Sequence, residues 1–441
     1  MTSRTLIIAA GALLVSTTAV SAQLSAPERA IAASVDRRNA ESMALLERIV
    51  NVNSGTQNVA GVRRVGDILR AEFDALGFIT TWIDGAEFGR AGHLVAEHAG
   101  TGPKILLIGH LDTVFEPSSP FQKFERLNDS TARGPGIIDM KGGNVIILAA
   151  LRALRDAGQL MGMNVTVVFD GDEEAPGAPL AGTRQALLDA AKGAAVAIGF
   201  EDGAADPKTA VTARRGATTW KLTTTGKAGH ASQIFRADLG AGAINEAARI
   251  ISEFYQKLAG EQYLAFSAGL IVGGTDATMD STLTSGTALG KTNVIAERVT
   301  VSGDMRTISP EQLTSTKTAM RAIVARHLPG TGGEIEFLDG YPPLPPTEGN
   351  ARLVALYDKA SRDLGLGEVK AVDPARAGAA DVAFVHGIVP MILDGVGLSG
   401  ADDHSVLETA DLRMLPVQAK RAAVLLLRLN SMADLRTPIR P

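Results

Sequence analysis

Short, almost uninterrupted apolar runs constrain this chain most. "KILLIG" (104–109), "NVTVVF" (164–169) and "AAVAIGF" (194–200) carry hardly a polar side chain. A strand apolar at nearly every position needs cover on both faces, which is the habit of a parallel sheet between helix layers. Segments of helical spacing lie between the runs: "NVIILAALRALRDAG", with Gly158 as its stop, and "GTRQALLDAA". Upstream, "NAESMALLERIVNV" and "GVRRVGDILRAEFDALGF" read as amphipathic helices, the second ending at Gly77, and "ITTWI" and "HLVAEH" as strands. The alternation predicts an α/β fold with a mostly parallel sheet covered by helices.

The texture changes near residue 213. "GATTWKLTTTGKAG" alternates polar and apolar, as a half-exposed antiparallel strand does. A helix ("GAINEAARIISEFYQKLAG"), two strands ("LAFSAGLIVGG", "ERVTVSGDMR"), a second helix ("PEQLTSTKTAMRAIVARHL") and a strand ("EIEFLDG") follow. This is a β-α-β-β-α-β unit, predicting a four-stranded sheet with two helices on one face. "YPPLPP" then reads as a stiff connector. Beyond it the first texture returns in "NARLVALYDKASRDLG", "VPMILDG" and "QAKRAAVLLLRL". A chain of 441 residues exceeds one ordinary core. The expected division is a leader over 1–22, an α/β domain over 23–212 and 343–441, and an inserted α+β domain over 213–342.

Arg4, the apolar "LIIAAGALLV" and the small residues of "AVSA" have the form of a secretory signal with cleavage after Ala22. An exported protein, periplasmic or secreted, is expected. The apolar run is shorter than the roughly 20 residues a membrane span needs, and no later segment is long and apolar enough. A net charge of −5 gives no basic surface for nucleic acid or anionic lipid. The chain has no Cys, so any metal site must use His, Asp and Glu.

Such residues recur just past the buried strands. His110 and Asp112 follow "KILLI"; Asp139 sits in "GPGIIDMKGGN"; Asp172, Glu173 and Glu174 follow "NVTVVF"; Glu201 and Asp202 follow "VAIGF"; Asp402, Asp403 and His404 follow the last strand. One acidic residue after a strand is usually a turn or cap residue. Five clusters at the carboxyl ends of strands fall where open α/β sheets bind ligands, and their mutual repulsion calls for a cation. Two imidazoles with several carboxylates suit zinc, with cobalt or manganese as substitutes. The set is too large for one tetrahedral ion that keeps an open position. It suits two ions about 3.5–4 Å apart sharing a carboxylate. On this reading His110 is a ligand, and Asp112 fixes its tautomer by accepting the other ring N–H.

The combined pattern "GHLDTV … GPGIIDMKGG … GDEEAPG … FEDG … DDHS" resembles the M20 metallopeptidases, and most closely their glutamate-carboxypeptidase branch. The resemblance implies two zinc ions per chain. His110 and Glu201 complete one shell, Glu174 and His404 the other, and Asp139 bridges. It makes Glu173 the general base that takes a proton from the attacking water and returns it to the leaving amine. It also implies a cis bond after Asp139. "GKAGHASQ" resembles the lid motif whose His stabilises the oxyanion, often from the partner subunit of a homodimer formed by the inserted domain; His230 fits. "KTNVI" and "GDMRTIS" resemble the segments that hold a substrate carboxylate, making Asn293 and Arg306 candidates. His93, His98, His327 and His386 are left as structural or surface residues. Two departures stand out. Met140 replaces an Asp common in relatives, and Gly378-Ala379-Ala380-Asp381 replaces a Gly-Gly-Thr-Asp run, which bears on specificity.

The implied activity is hydrolysis of an amide next to a free carboxylate, on a small peptide or N-acyl amino acid. An N-acyl-amino-acid amidohydrolase or dipeptidase shares the mechanism and differs in pocket contacts. An inactive exported binding protein would have lost Glu173 or a ligand, and none is missing. A serine hydrolase lacks its G-x-S-x-G elbow here.

Overall fold

The computed structural model describes residues 24–202 and 206–435. The leader expected over 1–22 lies outside them. Among the described residues no helix is long and apolar enough to cross a membrane.

A six-stranded sheet forms the larger unit. Its order is Ile79–Asp84, Gly92–His98, Asn164–Asp170, Lys104–His110, Val196–Gly199 and Ile392–Leu393. The last four strands run parallel, and the first two join at one edge as antiparallel neighbours. The apolar runs are the parallel strands, buried along almost their whole length. Helix Gly142–Asp156 is buried over nearly every residue and packs on helices Ala26–Arg37 and Met414–Ser431. Helix Ala26–Arg37 was not anticipated beside the leader. It starts in a capping box in which Glu28 reciprocates the Ser25 cap.

Register brings the strand ends level. His110 lies opposite Asp170, and Ile108 opposite Gly199. Residues 110–112, 172–174 and 201 therefore leave the sheet along one rim, at the carboxyl ends of the strands, as the pattern of clusters predicted.

Between Gly199 and Ile392 the chain builds a second, antiparallel sheet ordered Ala265–Gly274, Arg298–Thr307, Gly216–Thr225, Gly332–Asp339. Strand Gly216–Thr225 alternates buried and half-exposed positions. Its buried face joins helices Ala243–Leu258 and Pro310–Val324 in a core around Trp220, Phe254 and Met320. Edge strand Ala265–Gly274 is largely exposed, with Ile271 at 57 %. A hairpin of Asp276–Met279 and Gly286–Leu289 extends this unit and was not foreseen.

Candidate active site

Four carboxylate or imidazole groups surround Asp139. Its Oδ1 lies 3.0 Å from His110 Nε2 and its Oδ2 lies 2.8 Å from His404 Nε2. Glu201 Oε1 is 3.5 Å from His110 Nε2, and Glu174 Oε2 is 3.2 Å from His404 Nε2. The result is two trios, His110–Asp139–Glu201 and Asp139–Glu174–His404, with the donor atoms of each within 4.8 Å of one another. Asp139 belongs to both. These are the five ligand positions read from the sequence, in the pairing the resemblance implied.

The donor set fits divalent cations. Hydrogen bonds donated to the Asp139 and Glu174 carboxylates push His404 up to about 11. His110 is also pushed well up: burial opposes this, but the Glu201 charge and bonds donated to Asp112 and Asp139 outweigh it. Glu174 is driven up to about 7 by burial and then by the Asp139 charge, and its buried Oε1 has no hydrogen-bond partner. Such a site attracts positive charge strongly, and metal and protons compete for the same donor atoms.

The loop carrying Asp139 is tightly held. Glu408 Oε2 accepts from Gly136 N at 2.9 Å, and Oε1 accepts from Ile138 N at 2.9 Å and Asp139 N at 3.3 Å. Lys141 Nζ donates to the Val52 and Pro135 carbonyls, and burial brings its ammonium down to about 7. The Asp139–Met140 peptide bond is cis. Met140 is fully buried, and its sulfur accepts from the His110 backbone N–H at 3.2 Å. Met140 thus packs against the His110 backbone and belongs to neither trio.

Asp112 does more than expected. His110 Nδ1 is closest to the Asp112 backbone carbonyl, at 3.1 Å, with the carboxylate 3.4 Å away. The carboxylate accepts from Glu173 N at 3.0 Å, Glu174 N at 3.1 Å and the Thr56 hydroxyl at 2.7 Å. It therefore sets the loop bearing Glu173 and Glu174 as well as the imidazole. Glu173 adjoins the trios, and its carboxyl is pushed well up by burial and then by the Asp381 charge. Glu201 is fixed from behind: Asp394 Oδ1 accepts its N–H at 3.3 Å, and Asp394 Oδ2 binds Arg214 Nε at 2.7 Å.

A cavity of about 360 Å³ opens over Asp139, Glu173, Glu174, Glu201 and His404. Its lining also includes Arg214, Arg376 and residues 377–380. Neither Arg was singled out in the sequence. Arg214 sits in an unremarkable "TARRG", and only the tertiary fold brings Arg376 to the same cavity as the carboxylates.

His230, Asn293 and Arg306 do not line this cavity. His230 is exposed with Nδ1 2.7 Å from Ser232 Oγ, and it bridges to Val294 beside Asn293. Arg306 Nε binds Asp304 at 2.7 Å. The fold thus brings His230 and Asn293 together on the second unit, outside the lining of the cavity over the carboxylates. Of the four histidines left aside, none joins a trio: His93 is buried 3.0 Å from Asp170, His98 bonds the Met163 carbonyl, His327 approaches Glu246, and burial lowers His386.

Two ligand trios around one carboxylate, with a half-buried glutamate beside them at the carboxyl ends of a parallel sheet, are the equipment of a metal-dependent hydrolase. The sequence profile of peptidase family M20/M25/M40 matches residues 106–428, and the chain belongs to that family. Among characterised proteins it is 28 % identical to carboxypeptidase G2 of Pseudomonas sp. strain RS-16, over 88 % of each chain. Among solved structures it resembles aminopeptidase PepT of Bacillus cereus (TM-score 0.70, 19 % identity, 89 % of this chain and 98 % of that one). It also resembles the YXEP protein of Bacillus subtilis, described as a dinuclear metal-binding M20 peptidase (TM-score 0.61, 16 % identity, 90 % and 99 %).

Proposed function

We propose that this protein is an exported two-zinc exopeptidase or amidohydrolase that cleaves an amide next to a free carboxylate, in the manner of a glutamate carboxypeptidase. The observation that carries the reading is Asp139, shared by two ligand trios and flanked by Glu173. His110 and Glu201 would hold one ion, Glu174 and His404 the other. Bound there, two divalent cations supply Lewis-acid polarisation of the scissile carbonyl and acidify water. The chain's own work is then proton movement and orientation. A carboxylate oxygen of Glu173 accepts a proton from the attacking water and delivers it to the leaving nitrogen, while Asp112 holds the Glu173 backbone in place. Arg214 and Arg376 line the same cavity as the carboxylates, and a guanidinium is suited to a substrate carboxylate.

The inserted unit over 213–342 acts as lid and dimerisation domain in this reading. The exposed edge strand Ala265–Gly274 supports a homodimer, and the exposure of His230 and Asn293 outside the lining of this chain's own cavity supports a role in a partner's site. The leader over 1–22 supports export. The test is a screen of zinc-loaded protein against N-acyl amino acids and dipeptides, with product mass analysis. Chelator-sensitive release of a free amino acid is expected, and the accepted substrates separate the carboxypeptidase from the acylase and dipeptidase forms. Cleavage that ignores the free carboxylate, or survives chelation, would overturn the assignment.

A further inference from the structure

Behind Glu173 lies a buried charged cluster that the ligand sites do not use. Arg184 is completely buried. Its Nη1 binds Asp172 Oδ1 at 2.6 Å, its Nε binds Asp381 Oδ1 at 2.6 Å, and its Nη2 donates to the Tyr341 hydroxyl at 2.6 Å. That hydroxyl donates in turn to the backbone carbonyl of Glu173 at 2.7 Å. The Tyr341 ring sits edge-on to Phe384 at 5.1 Å. Arg184 Nη2 also donates to the Asp172 backbone carbonyl at 3.2 Å, so the guanidinium acts throughout as a donor. Arg184 then faces carboxylates that balance it, and the Tyr341 O–H is left to donate forward.

Tyr341 belongs to the connector "YPPLPP", just past strand Gly332–Asp339 of the inserted unit. Its backbone carbonyl accepts from Ala217 N at 2.9 Å, and Gly340 N donates to Ala217 O at 3.1 Å, so it is tied to the entry strand of the same unit. The Glu173 peptide is thus gripped from two directions: Asp112 takes its N–H and Tyr341 takes its C=O.

We propose that Tyr341 is a positioning residue for Glu173: its hydroxyl, oriented by Arg184, holds the base from the connector between the two structural units. This rests on Glu173 as the base. The hydroxyl touches neither ligand trio; its two partners are Arg184 and the Glu173 carbonyl.

The test is Tyr341→Phe in the full, zinc-loaded chain, alone and combined with Glu173→Gln. Phenylalanine keeps the ring against Phe384. Losing one buried hydrogen bond at the base is expected to lower kcat about 5- to 20-fold, with KM within about twofold, metal content unchanged and melting temperature nearly unchanged. Amide hydrogen exchange over residues 172–177 should quicken. In the Glu173→Gln background the same change should alter kcat by less than about twofold, because the group it positions is gone. Wild-type kcat and exchange in Tyr341→Phe would overturn the proposal. So would an equal loss in both backgrounds, or a large fall in melting temperature or metal content, each of which marks a general structural role. Near-wild-type turnover by Glu173→Gln itself would instead refute the base assignment on which the proposal rests.

Discussion

Replacing Glu408 is expected to weaken both metal positions at once, although Glu408 is a ligand in neither. Its carboxylate accepts three backbone N–H groups, from Gly136, Ile138 and Asp139, at 2.9, 2.9 and 3.3 Å. It is fully buried, so no other acceptor waits for them. Each bond is worth about 1 kcal/mol net, and an orphaned buried donor costs about 1–3 kcal/mol. Glu408→Ala leaves all three donors and a space that water can partly fill, for a loss of about 3–5 kcal/mol. Glu408→Gln keeps an oxygen for Ile138 and Asp139 but turns an NH₂ toward Gly136 N–H, for about 1–2 kcal/mol. The released loop carries Asp139, which both trios share. Affinity at both positions should therefore fall together, by about 10- to 100-fold as for other residues that orient ligands. Thermal unfolding and zinc titration of the two variants provide the assay, with Ala worse than Gln in both. A stability loss with unchanged zinc affinity, or loss of one ion alone, would refute the view that Glu408 sets the shared ligand.

Glu173 and Glu174 are adjacent yet assigned different work: Glu173→Gln should keep its metals and lose roughly 10²–10⁴-fold in kcat, whereas Glu174→Ala should lose metal and activity together, and metal analysis beside kinetics reads both. Asp112→Asn removes an acceptor from the Glu173 and Glu174 N–H groups; kcat should fall at least about tenfold, and an unchanged kcat would contradict the positioning role. His230→Ala should slow turnover with both metals retained. Mixed dimers of His230→Ala with Glu173→Gln should regain activity if His230 serves the partner's site, and no regain with subunit exchange proven would count against that placement.

The architecture was legible because the parallel strands are apolar almost throughout and their register is simple. Once "KILLIGH" and "NVTVVFD" pair with His110 beside Asp170, the clusters that follow must share a rim. The grouping of these side chains was legible for the same reason, since residues just past level strand ends come together in space. What stayed hidden depends on long-range contacts. Arg184 looked like an ordinary helix residue, and it instead marks the break between the short helices Leu180–Thr183 and Gln185–Ala191. Tyr341 looked like part of a spacer. Glu408 was one more acid after "DDHS", and only the fold carries it under the Asp139 loop. No periodicity announces a buried Arg or Glu, because its partners lie up to some 270 residues away. His230 and Asn293 carried a motif, but a motif does not say which chain's site a side chain reaches.

Metal analysis joined to anomalous diffraction tests the central claim most directly. Active protein prepared without chelator should contain two zinc ions per chain, one between His110 and Glu201, the other between Glu174 and His404, and Asp139 touching both. Full activity with one ion or none, or two ions that do not share Asp139, would contradict it.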